Sequence, residues 1–173
     1  MKKFVAVFVI ALIGASVAPA HSATTSLAKC SFINRTLTDK SIPLPCLDGS
    51  IGLAPSAIRG PAIINVWGSW CGPCRQEIPY LVAFNKKYGS QVQIVGIDVS
   101  ETSPADGQKF VKEHGITWPN LFDVGGSTKA AFGMGVPVTW FVDKKGKALY
   151  KKIGVLKSEK ELISLSKKYL GVK

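Results

Sequence analysis

Apolar residues along the chain fall into two patterns: continuous runs, typical of buried strands, and spacings of three or four residues, typical of helices. Residues 62–67 and residues 92–99 are almost continuous apolar, β-branched runs, as in strands buried on both faces. Between them, apolar positions recur at helical steps through residues 78–88 until Gly89 supplies a stop. The chain therefore passes from a buried strand into a helix near residues 68–72.

The stretch after the second strand predicts another helix and another strand. Ser103 is placed to cap the helix, Pro104 occupies its first position, and Gly115 ends it. Phe110 belongs to the apolar side of this helix. Residues 116–122 then predict a short strand near the surface.

The C-terminal part of the chain predicts a hairpin followed by a helix. Residues 138–142 and 147–153 flank the turn at residues 143–146 and form an antiparallel pair. Ser158 begins the final helix and forms a capping box with Glu161. The residues of its predicted buried face are Leu162, Leu165 and Tyr169.

The N terminus has the three parts of a secretory signal. Residues 1–3 are basic, residues 4–17 are apolar, and residues 18–20 are small. We therefore predict a leader at residues 1–20, with cleavage after Ala23 as a second option, and an exported protein in the periplasm, the cell envelope or the medium. An uncleaved leader acting as an anchor is the alternative, although the apolar part is shorter than the roughly 20 residues that span a bilayer.

Charge limits the class of partner. The chain carries 22 basic and 11 acidic residues, a net charge of +11, which falls to +9 without the two lysines of the leader. Ten lysines and two glutamates lie from Lys144 onward. A solvated basic face is the simpler interpretation, and association with an anionic membrane surface is the alternative. Nucleic acid is disfavoured, because the leader implies export and only Tyr150 and Tyr169 interleave with these lysines.

Two of the four cysteines lie near the N terminus, in a segment without helical or strand periodicity. Four cysteines in an exported protein fit two pairs, and a bridge from Cys30 to Cys46 would stabilise this segment by ~3 kcal/mol. A second redox pair is the alternative, which the lack of a predicted helix start at these cysteines does not favour. Residues 47–53, just after the bridge, predict a small hairpin.

The other two cysteines, Cys71 and Cys74, stand where the first strand turns into a helix. Free N–H groups and the positive end of the helix dipole favour a thiolate there, so we expect the pKa of Cys71 to be lowered. Cys74 lies one turn further on and can resolve a mixed disulfide formed on Cys71, with Gly72-Pro73 as a tight turn between them. Half of a zinc site is the alternative, but the sequence offers no second pair of ligands at zinc spacing.

The motif Trp70-Cys71-Gly72-Pro73-Cys74 resembles the active-site pentapeptide of thioredoxins. Its surroundings are similar to the TlpA/ResA branch of extracytoplasmic thioredoxin-like proteins, in the lead-in at residues 65–70, in Glu77-Ile78-Pro79 and in an inserted strand and helix. The resemblance covers residues 44–173 and leaves residues 21–43 as an N-terminal extension. It implies an α/β fold of thioredoxin type: a mixed central sheet flanked by helices, with an N-terminal hairpin and a central strand–helix insertion.

The same resemblance implies roles for particular residues. Pro137 is expected to be cis and to pack beside the cysteines, and Val136 before it to pair with a substrate peptide through its backbone. Cytoplasmic thioredoxins carry a buried aspartate where this chain has Asn65, so another base, or water, must assist Cys74, and Glu77 is the candidate. An exposed glutamate that merely complements the helix dipole is the alternative. The expected substrate-binding residues are Trp70, Gly72, Pro73, Val136 and Pro137.

The function implied is that of an exported thiol-disulfide oxidoreductase that uses no metal or other cofactor. The resemblance favours a reductant fed by a membrane thiol carrier, with apocytochrome c or other exported disulfide proteins as substrates. An oxidant of exported thiols is the alternative, and a copper chaperone of thioredoxin fold is disfavoured because those use Cys-x-x-x-Cys and a distal histidine. A peroxiredoxin is disfavoured because Gly68 stands where that chemistry needs Thr or Ser.

Overall fold

A computed structural model describes residues 26–39, 41–128, 131, 133 and 135–173. The predicted leader at residues 1–20 lies outside the described residues. Within the described part of the chain, no helix combines the length and the apolar character needed to cross a membrane.

One five-stranded sheet forms the centre of the molecule. In chain order its strands are β1 (Ala62–Trp67), β2 (Gln93–Val99), β3 (Asn120–Asp123), β4 (Val138–Val142) and β5 (Ala148–Ile153). Their spatial order is β3-β2-β1-β4-β5. The first three strands are parallel to one another, β4 pairs with β1 in antiparallel orientation, and β5 pairs with β4 in antiparallel orientation. The predicted mixed central sheet is thereby confirmed.

Three α-helices among the described residues accompany the sheet, and their ends follow the sequence signals. They are α1 (Gly72–Tyr88), α2 (Pro104–Glu113) and α3 (Glu159–Leu170). The capping box predicted at the start of α3 is only half formed. Ser158 Oγ accepts the Glu161 N–H at 3.1 Å, whereas the Glu161 carboxylate accepts the N–H of Lys157 at 2.7 Å instead of that of Ser158.

The sheet separates two apolar clusters. The cluster on the helix side contains the buried faces of α1, α2 and α3 together with Trp67, Cys71 and Cys74. The cluster on the other side is formed by the remaining strand side chains and by the N-terminal segment. The cysteine pair of α1 is therefore part of a packed core and is not carried on a free loop.

The N-terminal segment covers the β3 edge of the sheet, which corrects the prediction of a surface strand at residues 116–122. The strand is shorter, and all four side chains of β3 are buried. Cys46 forms an antiparallel bridge to Leu121, and Phe122 donates its N–H to Pro45 O at 2.8 Å. The prediction was wrong because the covering residues come from a distant part of the chain.

The N-terminal hairpin is present, but its first arm lies before the predicted residues 47–53, whereas its second arm lies within them. Leu44 pairs with Leu53, and the Leu44 N–H donates to Leu53 O at 3.1 Å. Between them, Cys46 donates its N–H to Ser50 O at 3.3 Å. The hairpin is thus a short pairing of isolated contacts around a turn.

Candidate active site

The Cys71–Cys74 pair closes a disulfide at the start of α1. Cys71 is the residue that caps the helix, and its Sγ accepts the N–H of Cys74 at 3.1 Å. The two sulfurs are 2.04 Å apart. Cys71 is 4% exposed and Cys74 is 0% exposed. A helix N–H directed at Sγ is the contact that stabilises a thiolate, and of the two sulfur-bearing side chains that of Cys71 is the more exposed.

Glu77 is a buried carboxyl group one turn after Cys74. Its side chain is 0% exposed, so the alternative of an exposed glutamate at the helix dipole is wrong. Oε1 accepts the Asn65 amide at 2.7 Å, and Oε2 accepts the Leu156 N–H at 2.8 Å. Burial raises the pKa of Glu77 to about 7, and the two hydrogen bonds oppose that rise. Glu77 can therefore exchange a proton near neutral pH.

Asn65 connects this carboxyl to the sheet. It lies in β1 and is 0% exposed, and its Nδ2 also donates to Thr139 Oγ1 of β4 at 3.3 Å. An amide has no titratable proton at neutral pH. Asn65 therefore orients the Glu77 carboxyl, and Glu77 is the titrating group of this pair.

The Val136–Pro137 bond is cis, as the resemblance implied. It directly precedes β4, whose first residue, Val138, pairs with Val66 next to the end of β1. Val136 packs against both apolar clusters, including the one that holds the cysteine pair. The structure thus brings the proline turn to the cysteine-bearing end of β1. A second cis bond, Gly60–Pro61, enters β1, and no pattern in the sequence indicated it.

The two tryptophans beside the motif occupy different environments. Trp67 is 0% exposed and stacks on Phe110 of α2, with ring centroids 4.8 Å apart. Trp70 is 56% exposed, and its Nε1 donates to Val99 O at 3.2 Å. Trp67 therefore packs behind the pair, whereas Trp70 offers an aromatic surface to solvent.

The turn before Cys71 is held by two residues that sequence reasoning missed. Glu101 accepts both the Ser69 N–H and the Ser69 hydroxyl, the latter at 2.8 Å. Arg75 donates through Nε and Nη2 to Ser69 O at 3.0 and 2.6 Å. No spacing pattern in the sequence could indicate the Glu101 contact, because Ser69 and Glu101 belong to different connections of the sheet.

Cys30 and Cys46 form the second disulfide, with a Cα–Cα distance of 5.9 Å. Both are buried, and their sulfurs lie 3.6 and 3.5 Å from the carbonyl oxygen of Asn120 in β3. Asp48 is close to both sulfurs, and within the described residues these three form the one group with metal-type ligands. Because the two sulfurs are bonded to each other, the group does not offer a metal two thiolates.

Residues 38–151 match the family described as the AhpC/TSA family. A curated relative, the thiol-disulfide oxidoreductase ResA of Bacillus anthracis, is 32% identical over 126 residues, which cover 72% of this chain and 66% of the relative. ResA of Bacillus subtilis (strain 168) is 32% identical over 97 residues, covering 54% of each protein. The chain thus spans about two thirds or less of the length of these relatives.

Two solved structures with similar folds are described as a thiol:disulfide interchange protein and a DsbF homologue. A thiol:disulfide interchange protein of the thioredoxin family from Chlorobium tepidum TLS has a TM-score of 0.60 and 26% identity, covering 77% of this chain and 99% of its own. A DsbF homologue from Corynebacterium diphtheriae has a TM-score of 0.61 and 28% identity, covering 78% and 90%. These likenesses confirm the expected architecture.

Proposed function

The chain belongs to the AhpC/TSA family and has a thioredoxin-like fold, and from this premise we propose that it is a thiol-disulfide oxidoreductase that reduces disulfides of exported proteins outside the cytoplasmic membrane. The observation that carries the proposal is the Cys71–Cys74 pair at the start of α1, with the buried Glu77 one turn further on. The names of the similar proteins support the same class of chemistry. The leader predicted at residues 1–20 supports export.

The first step is attack by the Cys71 thiolate on one sulfur of a substrate disulfide. The substrate S–S bond breaks, its second sulfur leaves as a thiolate and takes up a proton, and a mixed disulfide joins Cys71 to the substrate. The N–H of Cys74, which contacts Cys71 Sγ at 3.1 Å, stabilises the attacking thiolate before this step.

In the second step Cys74 resolves the mixed disulfide. Glu77 takes the proton of the Cys74 thiol, the resulting thiolate attacks Cys71 Sγ, and the bond between Cys71 and the substrate breaks. The substrate sulfur released from Cys71 leaves as a thiolate and takes up a proton, so the substrate departs with two thiols and the Cys71–Cys74 disulfide forms. The hydrogen bonds from Asn65 and Leu156 hold the Glu77 carboxyl in place for this transfer.

Substrate recognition is assigned to the surface around the pair. The backbone of Val136 before the cis Pro137 pairs with an extended substrate segment. Trp70, 56% exposed, provides an aromatic contact, and Gly72 and Pro73 leave room for the substrate chain. A Cβ at Gly72 would meet nothing within 4 Å, which is consistent with an open approach.

Net reduction of substrates requires a donor that returns two electrons to the pair. A thiol carrier in the membrane is the source we propose, and the haem-binding cysteines of apocytochrome c or other exported disulfides are the substrates. The basic C-terminal part of the chain would assist contact with an anionic membrane surface.

A trapping experiment tests this function. Cys74→Ser should accumulate a mixed disulfide with substrate, since the resolving thiol is missing while the attacking thiol remains. Cys71→Ser is the matched control and should trap nothing. If Cys71→Ser traps partners and Cys74→Ser does not, the attacking and resolving roles are reversed. If neither does, the protein does not act on disulfides in this way.

A further inference from the structure

The chain makes two contacts with the active-site turn at the point where β2 ends. Val99 O accepts the Trp70 Nε1–H at 3.2 Å. The Glu101 carboxylate accepts the Ser69 N–H and, at 2.8 Å, the Ser69 hydroxyl. We call residues 99–101 the β2 corner. It holds two consecutive residues of the turn that leads into α1.

The middle residue of the β2 corner has an unusual backbone conformation. Among the described residues, Ser100 alone combines a side chain with a positive φ, which is 58°. This left-handed region is unfavourable for a residue that carries a Cβ, and it persists where the surrounding contacts require it. The Ser100 side chain is exposed, so its own packing does not explain the conformation. Its two neighbours, Val99 and Glu101, supply the contacts with the turn.

Arg75 holds the same turn from the side of α1. Its Nε and Nη2 donate to Ser69 O at 3.0 and 2.6 Å. Its backbone N–H donates to Cys71 O at 3.2 Å, and the Cys71 N–H donates to Gly68 O at 3.1 Å. All three polar groups of Ser69 therefore have partners, and hydrogen bonds fix the backbone of Cys71 on both sides.

Gly68 allows the Trp70 ring to fold back onto this turn. A Cβ at Gly68 would lie 2.6 Å from Trp70 Nε1, so a side chain there would move the ring away from Val99 O. The ring is 56% exposed and belongs to the surface assigned to substrate recognition. The β2 corner therefore sets the position of this aromatic surface as well as that of the turn.

We propose that the β2 corner, in the left-handed conformation of Ser100, is a positioning element of the reaction. Through Ser69 it fixes the Cys71 thiol at the first turn of α1, and through Trp70 it fixes the aromatic contact for the substrate. Ser100 and Glu101 are positioning residues, since they act on the thiol through Ser69. The inference rests on the proposed function in that the positioned thiol is the attacking one.

Positioning by Glu101 and a direct effect of its charge have opposite signs. A carboxylate near a thiol disfavours the thiolate, so removal of the charge alone would speed alkylation of Cys71. Loss of the hold on the turn slows alkylation instead, because Cys71 Sγ leaves the helix N–H that stabilises its thiolate. The direction of the change in rate therefore distinguishes the two effects.

The first test changes the backbone of the β2 corner and leaves every contacting side chain in place. Ser100→Val disfavours the left-handed conformation, whereas Ser100→Gly adopts it freely. The alkylation rate of Cys71 is measured in the reduced protein at neutral pH, with the modified site read by peptide mass. It should fall about threefold to tenfold in Ser100→Val, the range for one ordinary hydrogen bond, and stay within about twofold of the wild type in Ser100→Gly. Equal rates in these two variants would overturn the proposal.

The position of Trp70 is read in the same two variants. The NMR signal of its indole N–H should shift in Ser100→Val, because the bond to Val99 O is lost, and should keep its wild-type position in Ser100→Gly. An indole signal that is unmoved in both variants would overturn the part of the proposal that concerns Trp70.

The second test removes the contacts themselves. Glu101→Gln and Ser69→Ala should each slow alkylation of Cys71 about threefold to tenfold, whereas Ser69→Thr keeps the hydroxyl and should keep the wild-type rate. Glu113→Gln is the matched control, since Glu113 is an exposed carboxylate of α2 that pairs with Lys109 at 3.8 Å. Faster alkylation in Glu101→Gln would assign Glu101 a direct electrostatic effect and overturn its positioning role. An unchanged rate in Ser69→Ala would overturn it as well.

These tests do not depend on a protein substrate, so their failure differs from that of the proposed function. If Ser100→Val slows alkylation but Cys74→Ser traps no partner, only the proposed function is overturned. If Cys74→Ser traps partners but Ser100→Val and Ser100→Gly react equally fast, only the positioning role is overturned. Where Ser100→Val does not fold, Glu101→Gln and Ser69→Ala decide.

Discussion

The two disulfides of this protein are both buried, yet their surroundings differ in the group that each sulfur faces. Cys71 Sγ receives a backbone N–H at the start of a helix. The sulfurs of Cys30 and Cys46 face a carbonyl oxygen, that of Asn120. An N–H stabilises a thiolate and a carbonyl oxygen destabilises it, so these contacts agree with the proposed redox role of Cys71–Cys74 and with a structural role for Cys30–Cys46.

The two pairs also differ in what they connect. Cys71 and Cys74 lie 3 residues apart at the start of α1, so their bond closes only a very short loop. Cys30 and Cys46 join two parts of the segment that covers β3, with 16 residues of sequence separation. The comparison teaches that the surroundings of the sulfur and the path of the chain, more than burial, assign a disulfide to chemistry or to stability.

The largest expected effect separates the pairs by activity. Cys71→Ser should reduce the rate of disulfide reduction at least about a thousandfold, roughly 4 kcal/mol in the barrier, because no other thiol can attack. The assay is reduction of insulin by dithiothreitol, followed by turbidity. The double variant Cys30→Ala/Cys46→Ala should stay within about twofold of the wild type. Comparable losses in both variants would erase the distinction between the two pairs.

The next effect separates the pairs by stability. Removing the second disulfide, as Cys30→Ala/Cys46→Ala, should lower the free energy of unfolding by ~3 kcal/mol, since the unfolded chain regains the freedom of the loop. Denaturant unfolding followed by circular dichroism measures it. The control, Cys71→Ala/Cys74→Ala, opens a much shorter loop and should cost less. A smaller loss for the Cys30–Cys46 variant than for this control would contradict a structural role.

A smaller effect concerns Glu77, the buried acid that follows Cys74 in α1. Among the described residues, the Cys30–Cys46 pair has no such neighbour on a helix of its own. Glu77→Gln should slow resolution of the mixed disulfide about tenfold to a hundredfold, because the Cys74 proton loses its acceptor. In the wild type the rate of this step should rise with pH through about 7, where Glu77 ionises, and the variant should lack that rise. Stopped-flow measurement of the resolution rate across pH gives both the slowing in the variant and the pH dependence in the wild type. An unchanged profile in Glu77→Gln would leave Glu77 a structural residue.

The last effect is a pH dependence of stability, which concerns the buried acids and not the two disulfides. The folded state holds a proton on Glu77 between the ordinary glutamate value of 4.5 and about 7, and on Asp98 between the ordinary aspartate value of 3.8 and about 9, where the unfolded chain does not. The contribution of these two groups to stability is therefore largest below the unfolded values and falls as the pH rises, by up to about 1.4 kcal/mol per pH unit for each group. Urea unfolding measured across pH should show this fall in the free energy of unfolding. Glu77→Gln should remove the fall between 4.5 and about 7, and Asp98→Asn should remove the fall between 3.8 and about 9. A stability that rises with pH in these windows would contradict the buried protons.

Local signals in the sequence were sufficient to predict the succession of strands along the chain, the start of α1 at the cysteines and the caps of α2. The burial of β3 could not be predicted, because the residues that cover it, around Cys46, are remote in sequence. The contact between Asn65 and Glu77 was likewise hidden, since it joins a strand to a helix through an amide. The contact between Glu101 and Ser69 could not be predicted either, because it joins two loops that are 32 residues apart in sequence.

The direction of electron flow is the central claim, and the reduction potential of the Cys71–Cys74 pair tests it most directly. The protein without its leader is equilibrated against dithiothreitol or glutathione redox buffers, and the oxidised fraction is read by alkylation and mass. A reductant is predicted to have a value near or below about −250 mV. A value near about −120 mV would contradict the account, because the protein would then be an oxidant of exported thiols.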